Sequence, residues 1–448
     1  MGVLTLTQLF LGARSPDHPV AWHLTPRGTG RTPRTWNQFA AAAAWAADRA
    51  RRSGGRRWLL ACQQAWDFAA GLTGLLLAGR TVLLPPNYLP QTLRDLEHHA
   101  DGVLGELGTL TAGQGPDPVP GGRVEFWTGG STGTPKGFAR SLAQLEAEVA
   151  MLERQFARGI PDGPVVGTVP HHHIYGCLFR ILWPLAAGRP FLCEPAGDPD
   201  GFLRALDQTR PVVLVASPAH LSRLPALVDL DQVPCPPGVV FSSGGPLDPE
   251  DALAWRRWVP GGVVEIYGST ETGGIAWRNQ GPEPESRLWT PLDDVTLSFR
   301  EGALVVASFR AGPRPLRLED GAEPAGGGRF RLLGRLDRTI KLDEKRISLP
   351  ELEQALEALP WVARAAVVPL AGPRPVLGAV VVLGPGAPAE RGVLARALRA
   401  HLAQRFDGLA LPKRWRFPRE LPFDERGKLT VQALAGLFQH GAPRGPRP

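Results

Sequence analysis

One short segment, rich in glycine and hydroxyl side chains, has the composition of a phosphate-binding loop. Its glycines let the backbone approach an anion closely, its hydroxyls can donate hydrogen bonds, and its lysine adds positive charge. The proline before that lysine does not fit the G-x-x-x-x-G-K-[ST] pattern of Walker A loops. The composition predicts a phosphate site of another kind, and the alternative is a surface loop. In order, the segment is Thr128, Gly129, Gly130, Ser131, Thr132, Gly133, Thr134, Pro135 and Lys136.

A second segment carries three consecutive histidines, His171, His172 and His173, after an apolar run at 165–169. Three imidazoles suggest a metal site. Adjacent side chains of an extended chain point to alternating faces, however, which argues against a shared zinc ion. His171 and His172 are therefore interpreted as structural.

Lysine is rare in this chain. Of 50 basic residues only five are lysine, at positions 136, 341, 345, 413 and 428. A compact, flexible ammonium is not interchangeable with a planar guanidinium. If arginine replaces lysine wherever a diffuse charge suffices, the lysines that are left are enriched where chemistry needs an amine.

The elements around these segments alternate between helix and strand patterns. Helix-length segments at 35–51, 67–77 and 141–158 lie between short β-branched runs bounded by Gly or Pro. This rhythm predicts an α/β fold with largely parallel sheets, followed at 295–333 by short strands in a small barrel-like subdomain. The predicted strands are 57–61, 81–84, 124–127, 165–169, 212–216, 239–242 and 263–267.

After Leu333 the pattern becomes a compact α+β segment. Ser348 is the N-cap expected for its first helix, with Glu351 three residues later. Strands at 365–368 and 376–383 and a helix at 389–405 are predicted to follow. We expect a large N-terminal domain at 1–334, a small mobile C-terminal domain at 335–440 and a disordered tail at 441–448.

The composition is that of a globular protein with two or three domains: 448 residues, 43% hydrophobic and 21% charged. The four cysteines form no C-x-x-C pair and predict reduced core thiols in a cytoplasmic protein. Arg80 interrupts the longest apolar stretch, at 69–86, so a buried helix and strand are expected there instead of a membrane span. The N-terminus lacks the basic segment of a secretory signal.

The net charge of +7 is concentrated in the last quarter of the chain. Residues 335–448 carry 19 basic and 11 acidic side chains. No run of five basic residues or aromatic–basic ribbon is present, which argues against a nucleic-acid partner. A basic terminal domain could steer an acidic protein, with Arg414 and Arg416 as candidates for the docking face. The alternative is a solvated arginine-rich surface.

Six motifs, in order, resemble those of the adenylate-forming superfamily of acyl-CoA synthetases, aryl-acid ligases and nonribosomal adenylation domains. The resemblance extends over residues 35–437, nearly the whole chain. The motifs are the loop at 128–136, the glycine segment at 242–247, Tyr-Gly-Ser-Thr-Glu at 267–271, Asp320, the hinge motif at 334–341 and the Gly-Lys motif at 421–428.

The resemblance implies a role for each motif in the use of ATP. The loop at 128–136 would hold the β- and γ-phosphates, Thr270 the α-phosphate, and Glu271 a Mg²⁺ ion, which prefers oxygen ligands. Lys428 would bridge the substrate carboxylate and the α-phosphate. The nucleotide would also be bound by Ser243, Gly244, Gly245, Tyr267, Gly268, Asp320 and Arg335, the last two at the ribose.

The resemblance also implies an acid pocket and a moving domain. His173 aligns with a histidine of the family, and with Tyr175 it is a candidate for the carboxylate pocket. Asp337 stands at the hinge about which family members rotate the C-terminal domain. Glu344 stands where the family has a glycine that lines the approach of the pantetheine thiol, and Leu318-Glu319 replace the Thr-Gly that usually precedes the ribose aspartate.

The compact chain and its Asp-Glu-Lys-Arg-Ile-Ser run at 343–348 are most similar to ligases that load aryl or acyl groups onto carrier proteins in pigment and polyene pathways. We therefore expect an AMP-forming ligase that makes an acyl-adenylate from a carboxylic acid and MgATP. It would then transfer the acyl group to the phosphopantetheine thiol of an acyl carrier protein. The alternatives are a ligase that uses free CoA and a nucleotide-binding homologue with reduced catalysis.

Overall fold

The chain divides into two compact units in the computed structural model. The first contains residues 1–297, 306–316 and 327–329, and the second contains 298–305, 317–326 and 330–448. The domain boundary expected after residue 334 stays a prediction, and the tail at 441–448 lies outside the described residues. The structure describes residues 4–9, 14–25, 30–107, 122–128, 136–160, 162–210, 213–233, 235–259, 261–342, 345–370, 376–406, 408, 410–423 and 429–439.

The strands of the described residues are short, and most connect to a helix. In chain order they are β1 (Pro19–Leu24), β2 (Arg31–Thr35), β3 (Arg57–Leu60), β4 (Thr81–Leu84), β5 (Gly102–Leu104), β6 (Arg123–Thr128), β7 (Lys136–Ser141), β8 (Val165–Gly167), β9 (Phe191–Leu192), β10 (Val213–Ala216), β11 (Val239–Ser242), β12 (Val263–Ser269), β13 (Gly273–Asn279), β14 (Thr290–Pro291), β15 (Thr296–Arg300), β16 (Ala303–Ala307), β17 (Leu316–Ala325), β18 (Arg329–Arg335), β19 (Thr339–Leu342), β20 (Lys345–Ser348), β21 (Val362–Leu370), β22 (Val376–Leu383) and β23 (Arg414–Arg416).

Several helices begin at a side-chain cap, among them the cap predicted at Ser348. Thr35 and Ser141 each form a capping box with the glutamine three residues later, and Ser348 caps α11 through the amide of Glu351. The α-helices are α1 (Leu6–Leu9), α2 (Trp36–Arg52), α3 (Ala65–Leu77), α4 (Pro90–Glu97), α5 (Leu142–Phe156), α6 (Ile174–Gly176), α7 (Trp183–Ala187), α8 (Pro199–Thr209), α9 (Pro218–Leu227), α10 (Pro249–Trp258), α11 (Leu349–Glu357), α12 (Arg391–Ala403) and α13 (Val431–Gln439). A π-helical segment, Cys177–Leu182, joins α6 to α7.

The first unit contains a nine-stranded sheet in the order β14-β13-β12-β11-β10-β8-β9-β1-β2. Its central strands, from β12 through β11, β10, β8 and β9 to β1, pair in parallel, whereas β13, β14 and β2 pair antiparallel. The central strands are almost continuously apolar because both faces of this sheet are covered. The predicted α/β class with parallel sheets is confirmed.

The second sheet of the first unit has five strands in the order β5-β3-β4-β6-β7. The first four are parallel, and β7 pairs antiparallel with β6, so that Thr128 and Lys136 are register partners. Strand β7 was not predicted because its sequence, KGFARS, has little β-branched character. The lysine of the loop therefore begins a strand, and helix α5 follows that strand.

The helices form layers around these two sheets. One core lies between the sheets and contains α2, α3, α5 and the 174–187 segment. A second core covers the other face of the nine-stranded sheet with α8, α9 and α10. Leu96 of α4 packs against Leu59 and Leu83 on the outer face of the five-stranded sheet.

The second unit contains the remaining sheets. The strands expected as a barrel-like subdomain form a four-stranded sheet in the order β15-β16-β17-β18, part of which lies in the first unit. The sheet β21-β22-β23 has a core on each face, with α11 and α12 on one side and α13 on the other. Its alternating residues explain this division: Val367 packs with α11, and Val368 packs with α13.

Among the described residues, no helix combines the length and apolarity that a membrane crossing requires. All four cysteines are free; Cys62, Cys177 and Cys193 are buried and Cys235 is partly exposed. Burial raises the pKa of each of the three buried thiols.

The alanine-rich helix α2 crosses α3 at a distance that only glycine allows. A Cβ atom at Gly74 would lie 2.3 Å from the Ala43 carbonyl oxygen and 2.6 Å from the Ala46 Cβ. Gly74→Ala is expected to lower the free energy of unfolding by about 1–3 kcal/mol through overpacking. The matched control is Gly436→Ala in α13, where nothing lies within 4 Å and alanine should be neutral or favourable. Denaturant unfolding measures both, and equal stability of the two variants would contradict the close crossing.

Candidate active site

The strand order of the nine-stranded sheet reverses at β8. The next strand along the chain, β9, pairs on one side of β8, and the one after it, β10, pairs on the other side. In open α/β sheets, ligands bind outside the carboxyl ends of the strands at such a switch point. The segments that leave this edge are His171–His173 after β8, Ser217 after β10, Ser243–Gly245 after β11 and Thr270–Glu271 after β12. Three of these four segments are motifs that the sequence singled out.

The glycine segment after β11 is fastened to β12. The Ser243 Oγ donates a hydrogen bond of 2.8 Å to the Ile266 carbonyl oxygen. Gly244 has a φ of +93°, in the left-handed region that favours glycine. The Leu247 amide donates to Glu265, a buried carboxylate that is also held by both Nε and Nη2 of Arg278 at 2.8 Å. The segment and the motif strand are thus one hydrogen-bonded assembly.

Thr270 and Glu271 lie in the tight turn between β12 and β13. Ser269 and Gly273 are register partners, and the Ser269 amide donates to the Thr272 Oγ1 at 3.1 Å. A Cβ atom at Gly268 would lie 2.1 Å from the Gly273 carbonyl oxygen, so only glycine permits this approach. Thr270 is half-buried, and Glu271 presents an exposed carboxylate.

Buried charged side chains contact this turn from the side of α5 and β7. Arg140 of β7 donates from Nη2 to the Thr270 carbonyl oxygen at 3.0 Å. Arg310 donates from Nη1 to the Gly274 carbonyl oxygen at 2.7 Å, and Glu148 of α5 accepts the Gly274 amide at 2.7 Å. The sequence analysis did not identify Arg140, Arg310 or Glu148. The available signal was a charged residue on the inward face of an amphipathic helix or strand.

The phosphate loop connects β6 to β7. Its described ends, Thr128 and Lys136, face each other across the ladder, and Lys136 is exposed. The intervening predicted residues, Gly129 to Pro135, lie outside the described part of the chain. Because β6 and β7 pair antiparallel, the chain reverses direction between Thr128 and Lys136.

The histidine segment is a turn and not the extended chain that the sequence argument assumed. His171 is buried between the Phe68 ring, at 4.5 Å, and the Cys62 carbonyl oxygen, 3.1 Å from its Nε2. Burial, together with the Arg180 charge, lowers the pKa of His171 to about 3, which keeps this ring neutral. The His172 and His173 rings lie 4.4 Å apart, so neighbouring histidines of this turn share a face.

Tyr175 begins an aromatic wall below the strand ends. Its ring lies 4.9 Å from Phe179, which lies 5.2 Å from Phe241 of β11. Phe156 of α5 continues the wall at 5.3 Å from Phe241. Burial raises the pKa of Tyr175 well above its ordinary value. The wall is therefore apolar and uncharged.

The remaining predicted residues belong to the second unit. Asp320 and Arg335 lie on neighbouring strands, β17 and β18, with their charged atoms 3.9 Å apart. Asp337 lies in a 3₁₀ turn, Leu336–Arg338, and Arg338 holds Glu353 through bonds of 2.8 and 2.6 Å. Lys428 and Glu344 lie outside the described residues.

Within the described residues, no group of three or more His, Cys, Asp or Glu side chains is arranged to hold a metal ion. One exposed carboxylate, that of Glu271, nevertheless suits a Mg²⁺ ion, which commonly takes one or two protein carboxylates and completes its shell with phosphate oxygens and water.

Comparisons with known proteins identify the family of the chain. Residues 124–298 match the family model of the AMP-binding enzymes, and residues 351–428 match that of the AMP-binding enzyme C-terminal domain. A 4-coumarate–CoA ligase of Rhodobacter capsulatus is 36% identical over 311 residues, which cover 68% of this chain and 73% of that protein. A second 4-coumarate–CoA ligase, of Cereibacter sphaeroides, is 32% identical over 315 residues, 69% of this chain and 71% of that protein.

A likeness to solved structures extends over the whole chain. ATP-bound MatB from Rhodopseudomonas palustris superposes with a TM-score of 0.74 over 98% of this chain and 99% of that chain, at 18% identity. This likeness supports the fold alone. The predicted superfamily is confirmed by the family models and the sequence relatives: the chain belongs to the AMP-binding enzymes and is an AMP-forming acid–thiol ligase.

Proposed function

We propose that the chain activates an aromatic carboxylic acid with MgATP and transfers the acyl group to the phosphopantetheine thiol of an acyl carrier protein. The observation that carries adenylate formation is the hydrogen-bonded assembly of two strand-end motifs, joined by the Ser243–Ile266 bond at the sheet edge that contains the switch point. These motifs bring backbone amides, hydroxyls and one carboxylate to the place where nucleotides bind in such sheets.

The first step is in-line attack of the substrate carboxylate on the α-phosphorus, with pyrophosphate as leaving group. Its barrier is charge on the phosphoryl oxygens, so aligned donors and cations are the catalysts. Lys136 and the loop hydroxyls bind the β- and γ-phosphates in this proposal, and Thr270 bonds the α-phosphate. A bound Mg²⁺ supplies positive charge to the phosphate oxygens, and Glu271 is its protein ligand.

Asp320 and Arg335 are proposed as the ribose group. A carboxylate accepts hydrogen bonds from two sugar hydroxyls, and the Arg335 guanidinium lies 3.9 Å from it. Lys428, His173 and Tyr175 complete the proposal around the substrate carboxylate. The ammonium of Lys428 would neutralise the carboxylate and the α-phosphate together.

An aromatic acid is proposed because the wall below the strand ends consists of rings. Tyr175, Phe179 and Phe241 follow one another at 4.9 and 5.2 Å, the spacing of ring pairs that attract each other. A flat substrate ring can add to such a stack. The names of the two sequence relatives, 4-coumarate–CoA ligases, support the same substrate class.

The test of this proposal is acid-dependent pyrophosphate release, measured over a panel of aromatic and fatty acids. The largest kcat/KM is expected for an aromatic acid. Release that is equal for all acids, or greatest for long-chain fatty acids, would contradict the aromatic pocket, and no release with any acid would contradict adenylate formation.

Lys428→Ala is expected to reduce adenylate formation by about 10²–10³-fold, because a donor realised only in the transition state is worth roughly 3–4 kcal/mol. ATP binding should change little. Pyrophosphate release and equilibrium ATP binding measure the two effects, with the exposed Lys413→Ala as the matched lysine control. Near-normal release by the Lys428 variant would remove this residue from the mechanism.

Asp337→Pro is expected to impair thiol transfer more than adenylation. Family members rotate the C-terminal domain between the two half-reactions, and proline restricts φ to about −65° at the residue that must absorb the change. Asp337→Ala, which leaves φ free, is the control and should retain transfer. Single-turnover assays of each half-reaction give the comparison, and an equal loss of both steps in the proline variant would argue against the hinge.

The carrier protein is proposed as acceptor because residues 335–448 carry the positive excess that suits an acidic partner. Free CoA is the second candidate, which the names of the relatives favour. Both acceptors present the same phosphopantetheine thiol.

The structure changes the choice of docking residues. The Arg416 Nε donates to the Leu437 carbonyl oxygen at 2.8 Å and its guanidinium covers Phe438, so Arg416 holds α13 in place. Arg414 and Lys413 are exposed instead.

Lys413→Glu with Arg414→Glu is therefore expected to slow carrier loading several-fold without changing adenylation, and added salt should slow loading by the wild type. Arg391→Glu with Arg396→Glu makes the same charge change at exposed positions of α12 and is the control. The assay offers CoA and a holo carrier protein side by side. Efficient CoA thioester formation without acylated carrier would contradict the carrier and support the CoA alternative.

A further inference from the structure

We infer that Arg140 is a positioning residue for adenylation, acting through the turn that carries Thr270 and Glu271. This inference rests on the proposed function, since it assigns to Arg140 the placement of those two residues. No sequence motif of the active site contains Arg140, which lies four residues after the loop lysine.

Arg140 is a buried cation whose donors are directed at backbone. Its side chain is only 3% exposed. One guanidinium nitrogen, Nη2, donates to the Thr270 carbonyl oxygen at 3.0 Å, and the other, Nη1, donates to the Arg310 carbonyl oxygen. Through these charge-assisted bonds the planar guanidinium bridges the two backbone segments that contain Thr270 and Arg310.

The segment that contains Arg310 is itself held by hydrogen bonds and ion pairs. Arg310 is fully buried and forms two bonds of 2.7 Å with Asp294. Its remaining nitrogen donates to the Gly274 carbonyl oxygen at 2.7 Å and lies 3.3 Å from a Glu148 carboxylate oxygen. That same oxygen accepts the Gly274 amide at 2.7 Å. Both backbone groups of Gly274 are therefore fixed by side chains of the network.

The turn is thus fixed at both of its sides. Arg140 holds Thr270 at the end of β12, and Arg310 with Glu148 holds Gly274 at the start of β13. Gly273 has a φ of +71°, and a Cβ atom there would lie 2.5 Å from a Glu148 oxygen, so the carboxylate lies directly against the backbone. The tip of the turn, with half-buried Thr270 and exposed Glu271, is the part left to face the edge of the sheet.

The charges explain why the arrangement acts on Glu271 in particular. Burial lowers the pKa of Arg140; the charge of Glu148 raises it, that of Arg310 lowers it, and that of Glu271 raises it. Glu148 is shared with Arg310, so the exposed carboxylate of Glu271 contributes part of the counter-charge of Arg140. Removal of the guanidinium would take its donor from the Thr270 carbonyl oxygen and withdraw the cation that attracts Glu271, whereas the Arg310 carbonyl oxygen would keep the Gln144 Nε2 at 3.2 Å.

The test compares Arg140→Met with Arg140→Lys and with Arg189→Met. Methionine keeps much of the length without donors, and lysine restores the charge but not the fork. Arg189 is a matched control: it is 8% exposed and pairs at 3.2 Å with Glu153, which lies on the same helix as Glu148 and also accepts a hydrogen bond from the Trp183 indole. All variants are first checked for a cooperative thermal transition.

Two measurements on the full chain are decisive. Arg140→Met is expected to lower the rate of acid-dependent pyrophosphate release by 10–100-fold and to raise the half-saturating Mg²⁺ concentration severalfold, with little change in KM for the acid. Arg140→Lys should recover part of both. Arg189→Met should lose thermal stability but keep the Mg²⁺ dependence of the wild type.

The second measurement needs no activity. Amide hydrogen exchange of the peptide over residues 268–276 should become faster in Arg140→Met and stay unchanged in Arg189→Met. Unchanged exchange and an unchanged Mg²⁺ requirement in Arg140→Met would overturn the inference. Absence of pyrophosphate release by the wild type would overturn the proposed function instead, and the exchange experiment would still decide whether Arg140 orders the turn.

Discussion

The parallel pairing of β8, β10, β11 and β12 is the constraint on which the site depends. Because these strands run in one direction, the segments that follow them all leave at one edge, although they are separated by up to about 100 residues of sequence. The reversal of strand order at β8 opens the crevice there. Helices on both faces cover the apolar strands, so that the edge is the place where polar side chains of the sheet reach solvent.

A second constraint is the burial of charge behind the Thr270–Glu271 turn. Buried ion pairs are not in general a source of stability, since desolvation opposes their attraction. Their value here is geometric. Arg310 pairs with Glu148 and Asp294, and Arg140, Arg310 and Glu148 direct hydrogen bonds at the carbonyls of Thr270 and Gly274 and the amide of Gly274. An apolar replacement could fill the same volume, but it could not fix the backbone direction of a turn whose glycines leave it free to move.

Sequence alone predicted the parts of this molecule that depend on local chemistry. The helices that begin near Thr35 and Ser141, the N-cap at Ser348 and the β-branched strands of the nine-stranded sheet all follow from residue type and spacing. The strand β7 could not be predicted, because KGFARS becomes a strand only through its pairing with β6. Arg140 and Arg310 could not be assigned for a similar reason: their partners are backbone groups about 130 and 36 residues away. The histidine turn was misjudged because the alternation argument holds only for extended chain.

At the proposed hinge, too, contacts between residues distant in the sequence add to what the local motif indicates. Asp337 is proposed as the hinge from its motif, and its neighbour Arg338 is paired with Glu353. Arg338 forms two bonds with Glu353 and a third, of 3.0 Å, with the Val367 carbonyl oxygen, so it is tied to both α11 and β21. Gly334, at the other side, has a φ of +98°, a conformation that other residues adopt only with strain. If the C-terminal part of the chain rotates as a body, the backbone change is confined to the few residues between that glycine and Arg338. A position for the hinge at Asp337 is therefore consistent with the side-chain contacts that surround it.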